Sequence, residues 1–114
     1  ARQTQDENAR RELAKAQLLI GKANEHRAEL VPFADLSGRD LAGWNLSGFD
    51  LRGVNLREAN LQATKLVGAN LAGADLTGAC LCLADASEAN LDGATLTTVD
   101  ATGASFVSAS LTRR

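Results

Sequence analysis

From residue 34 onward an apolar residue recurs at every fifth position. Leu36, Leu41, Leu46, Leu51, Leu56, Leu61, Leu66, Leu71, Leu76 and Leu81 are followed by Ala86, Leu91, Leu96, Ala101, Phe106 and Leu111. Sixteen units keep this phase without an insertion, which marks a structural repeat and not a chance clustering of a common residue. Relative to the central position, Ala stands two residues earlier in ten of the sixteen units, Asp or Asn one residue earlier in eleven, and Gly two residues later in nine. The unit reads Ala-(Asp/Asn)-Leu-x-Gly.

A period of five fits neither regular element. Five residues of α-helix turn by about 500°, so successive leucines would fall about 140° apart and wrap the whole surface. In an unbroken strand, residues five apart point to opposite sides, and half the leucines would face water. A short extended piece followed by a tight corner resets the phase. The central residue and the residue two before it then point inward, and the Asp or Asn between them points outward. Gly at the corner supplies a positive φ, and Asp or Asn hydrogen-bonds to nearby backbone. If each corner turns by roughly a right angle, four units close a square coil of twenty residues, and sixteen units stack as four coils about 4.8 Å apart.

Runs such as Ala69-Asn70-Leu71-Ala72-Gly73 and Ala74-Asp75-Leu76-Thr77-Gly78 make residues 34 to 113 resemble the pentapeptide-repeat proteins, whose signature is A(D/N)LXX. The resemblance implies an all-β solenoid, a right-handed quadrilateral β-helix of about four coils. It implies little about function, because the repeat residues are structural.

The first coil departs from the pattern, with Arg39, Trp44 and Phe49 where Ala is expected and Val54 in the unit after. Such side chains overfill a narrow interior but suit the covering of an open end. The preceding segment supplies a partner. Thr4-Gln5-Asp6-Glu7 has the form of a capping box, and Leu13, Leu19 and Ile20 fall on one side of a helix expected over about 5–27. Pro32 pushes Val31 toward extended geometry and marks a boundary. The expected division is an α-helical segment at 1–30 and a β-helix at 31–114. The helix, or Leu30-Val31-Pro32-Phe33 after it, is expected to cap the first coil on Trp44 and Phe49, with Leu13, Leu19 and Ile20 as contacts.

Composition narrows the function classes. Twelve Lys+Arg against fourteen Asp+Glu leave a formal charge of −2, which favours neither nucleic acid nor an anionic membrane as partner. The longest apolar run of the N-terminal segment, Leu18-Leu19-Ile20, is far short of a membrane span. Cys80 and Cys82 are two residues apart, a spacing that strains a disulfide. They read as reduced thiols on one outward face in a cytoplasmic protein, with redox sensing or a metal shared with a partner as the alternative. His26 is the only histidine; it reads as a solvated helix residue, and no metal, cofactor or catalytic set emerges.

Residues 31–114 carry nine acids and six bases, a net of −3, with no continuous acidic stripe. Some members of the resembled family mimic DNA and bind gyrase, and that is the alternative reading here. The primary expectation is a non-catalytic scaffold or protein-interaction module within a larger bacterial protein; the resemblance extends to repeats appended to secretion-system adaptors and effectors. Val67 and Val107 in one outward column, and Leu83 in place of a corner Gly, are the candidate contacts for a protein of unknown identity. Similarity to dimeric family members implies pairing through the C-terminal coil.

Overall fold

The computed structural model describes residues 7–11 and 26–112. From Leu36 to Phe106 each central residue opens a tight turn. The N–H three residues on donates back to its carbonyl, as in Arg39 to Leu36 at 3.2 Å and Ala59 to Leu56 at 3.1 Å. The second turn residue has positive φ throughout, from 55° at Thr98 to 76° at Gly43, the pattern of a type II turn. Nine of these corners are Gly, yet Glu58, Ala63, Leu83, Glu88, Thr98 and Ser108 adopt the same left-handed conformation. The ladder on either side fixes the corner, so the residue conforms whether or not it prefers to. Two of the glycines also leave room for a neighbour: the Phe33 ring occupies the space a β-carbon on Gly53 would need, and a Leu83 methyl lies 2.7 Å from that space at Gly103.

The Asp or Asn before each central residue locks the turn from outside. All eleven accept the N–H two residues on at 3.0–3.4 Å, as Asp35 does from Ser37 and Asn55 from Arg57. This is an Asx-turn repeated as a hook at each bend.

These same positions join successive turns of the chain. Parallel bridges pair Asp35 with Asn55, Asn55 with Asp75 and Asp75 with Thr95, and the other three sides repeat the offset of twenty as far as Asn90 with Ser110. Around each bridge, a central N–H and a corner N–H each reach the carbonyl nineteen residues on (Leu36 to Asn55 and Gly38 to Arg57, both 2.8 Å), and the outward N–H reaches the carbonyl twenty-one residues back (Asn55 to Ala34, 2.9 Å). Four five-residue sides therefore make one turn, a quadrilateral β-helix whose strands are single bridges.

Inside, Leu36 through Leu81 at the central positions are at most 2% exposed, joined by Val54, Ala59, Ala69, Ala74, Ala79, Ala84 and Ala89. Thr64, the one buried polar residue of this interior, donates its hydroxyl to the Leu41 carbonyl at 2.9 Å. Among the described residues no buried side-chain nitrogen or oxygen lacks a hydrogen-bond partner. The filling thins at the far end: Leu96 is 38% and Leu111 52% exposed, Ala101 is exposed and Phe106 half-buried.

At the other end residues 7–11 are helical. Leu13, Leu19 and Ile20 lie outside the described residues. The chain resumes in turns at 26–29, where the Leu30 N–H donates to the carbonyl of His26 at 3.2 Å, and the Phe33 N–H then enters the ladder by donating to Arg52 at 2.8 Å.

Candidate functional site

The first coil is covered by three side chains of the segment before it. Leu30 is buried in the core cluster with Trp44. The His26 ring stacks on the Trp44 indole with centroids 5.6 Å apart, and the Arg27 guanidinium sits 5.0 Å over the Phe49 ring. His26 is thus not the freely solvated residue expected from the sequence; the indole draws it in because the first coil offers a large aromatic face where later coils offer Ala. Glu29 ties the segment down, with Oε2 2.8 Å from Arg39 Nη2 and 3.3 Å from His26 Nδ1. The Arg39 hydrogen bond, supported by the charges of Arg39 and His26, holds the Glu29 carboxyl below its ordinary range. The excess bulk of Trp44 and Phe49 and the apolar Leu30 segment signalled this site in the sequence, whereas His26, Arg27 and Glu29 belong to no periodic pattern.

The outer walls are polar with single apolar interruptions. Leu83 is 62% and Val107 68% exposed, while Val67 is half-buried. The carboxylates are tied locally. Asp75 lies below its usual pKa because Thr77 donates hydroxyl and amide hydrogens to it and Arg57 pairs with it at 3.0 Å. Asp50 is lowered by Arg52, whose Nε lies 2.8 Å away. Asp35, Asp85 and Asp100 are lowered in the same way by Ser37, Ser87 and Thr102. Of these carboxylates, Asp50 and Asp75 are paired with an arginine, and the others keep their charge under local hydroxyl and amide hydrogen bonds.

Cys80 and Cys82 face outward together, both half-buried and reduced, with sulfurs 2.8 Å apart. The Cys82 thiol also lies 3.7 Å from the Asp100 carbonyl oxygen. Contact with Cys80, then burial and Asp100, push its pKa up to about 12. Among the described residues no group of three His, Cys, Asp or Glu side chains is placed to hold a metal ion, and no helix is long and apolar enough to cross a membrane.

A coil of twenty residues, Asx-hooked corners and an interior of stacked leucines define a class of protein. Pentapeptide repeats (8 copies) match at residues 33–63, 55–82 and 83–113, and the chain belongs to the pentapeptide-repeat family, whose members form right-handed quadrilateral β-helices and are generally non-catalytic. A pentapeptide repeat protein from Nostoc PCC 7120 is 32% identical, with 79% of this chain and 74% of that one covered and a TM-score of 0.67. One from the thylakoid lumen of Arabidopsis thaliana is 40% identical at a TM-score of 0.59, over 66% of this chain. This chain spans 59% of that protein's length. The plasmid-mediated fluoroquinolone resistance protein QnrB1, at 15% identity and a TM-score of 0.44 over 68% of this chain and 60% of that one, is too remote to bear on function. No curated protein matches the chain.

Proposed function

We propose that the chain is a rigid, non-catalytic scaffold for protein–protein contact. In this reading a four-coil solenoid at 31–114 is capped by a helical segment at 1–30 and forms part of a larger bacterial protein, of which a secretion-system adaptor or effector is one kind. The observation that carries it is the interior packed solid with leucine and alanine, which leaves recognition to the outer walls, where Leu83 and Val107 stand exposed. A reducing, cytoplasmic setting fits the two free thiols. Pairing of two copies through the C-terminal coil would cover Leu96 and Leu111.

The test compares the wild-type chain with a Leu83→Glu/Val107→Glu variant in affinity capture, alongside a gyrase supercoiling assay. The scaffold reading expects one protein retained by the wild type, lost with the variant, and supercoiling unaffected. Inhibition of supercoiling in competition with DNA would replace it with the DNA-mimic reading. The neutralised carboxylates at Asp50 and Asp75 weigh against that outcome.

A further inference from the structure

We infer that Cys80 and Cys82 form a redox-active dithiol site that exchanges with disulfides, closing onto each other in the process. Their sulfurs lie 2.8 Å apart, within about 1 Å of the roughly 2 Å bond they would form. The backbone does not let them drift. Cys80 donates its N–H to Ala59 at 3.0 Å and accepts from Leu61 at 2.8 Å, the Cys82 carbonyl accepts from Ala63 at 2.8 Å, and Leu81 between them is buried and donates to Asp100 at 2.7 Å. Fixed frames that aim two reacting atoms at each other remove most of the entropic barrier to their reaction.

Sulfur exchange needs only the pair. The Cys82 thiol is engaged by the Asp100 carbonyl at 3.7 Å, and this contact assigns Cys80 as the attacking sulfur. Its thiolate displaces one thiol from a substrate disulfide and forms a mixed disulfide. Cys82 then gives up its proton and attacks Cys80 Sγ, forming the Cys80–Cys82 bond and releasing the second thiol. Two thiol hydrogens and two electrons pass to the substrate, a small or protein-borne disulfide. Closure over a single intervening residue strains the product, which places the pair at the oxidising end of the dithiol scale and lets a small thiol such as reduced glutathione reopen the bond. Both cysteines are half-buried, and the column that holds Cys80 carries Asn60 and Asp100 in the adjoining coils, so the surroundings suit a polar substrate.

The reduced wild-type chain is incubated with oxidised glutathione in chelator-treated buffer and followed by intact mass and free-thiol count. The expected result is loss of two hydrogens per chain with no lasting adduct, at a rate on the order of tenfold higher folded than in denaturant. Cys82→Ser is expected to stall as a stable single-glutathione adduct on Cys80, and Cys80→Ser to react on the order of tenfold more slowly than Cys82→Ser. Lasting adducts or disulfide-linked dimers in the wild type, or equal rates folded and unfolded, would overturn the site. Equal reactivity of the two single variants would overturn the assigned order of attack.

Discussion

The two ends of the described rod are built from the same five-residue unit and differ in how far their inward leucines are covered. At the N-terminal end Leu36 and Leu41 are at most 1% exposed, because Trp44 and Phe49 widen the coil's floor and Leu30, His26 and Arg27 lie across it. At the other end Leu96 and Leu111, in equivalent inward positions, are 38% and 52% exposed. A leucine is therefore buried here by its neighbours in the stack and not by its own unit. A coil contributes its apolar surface only when another layer covers it.

Truncating an inner leucine should give the largest effect. Leu61→Ala, which empties a site with no accessible surface, should lower unfolding free energy by about 4 kcal/mol, against under about 1 kcal/mol for Leu111→Ala, in urea titrations followed by circular dichroism. Equal losses would erase the distinction between the ends. Trp44→Ala should follow at about 3 kcal/mol, since it removes a nearly buried ring and the platform under His26. Thr98→Gly works in the opposite direction at the open end. A β-branched residue held at φ 55° is strained, and its relief should raise the thermal midpoint by the equivalent of about 1 kcal/mol.

Acid sharpens the comparison least. Asp35, Asp50, Asp75, Asp85 and Asp100 are all held below their ordinary range in the folded chain. Groups depressed by folding stabilise it while ionised, so their contribution is full near neutrality and is lost as pH falls below about 4. Midpoints measured from pH 7 down to 3 should fall in wild type and fall less in Asp75→Asn, which keeps an acceptor for the Thr77 amide.

The coil was legible because it is periodic. Step, inward and outward faces, corner and hook all follow from one five-residue pattern, and the family followed from the same residues. What broke the period was harder to read. Glu58, Ala63 and Leu83 sit at corners where composition names no turn former, and the ladder bonds of their N–H groups to Thr77, Cys82 and Thr102 hold them there. The stack of His26 on Trp44 depends on where a non-repeating segment turns back. The approach of the two cysteine sulfurs depends on rotamers, which spacing along a chain does not encode.

The uniform offset of twenty between bridged residues also acts on length. Removing or adding one residue would throw every later leucine out of line, whereas a change of five merely passes each side's role to its neighbour. Genes for such a rod can lengthen or shorten only in fixed increments, and each full circuit gained extends the molecule by about 4.8 Å, so its reach is graduated like a ruler.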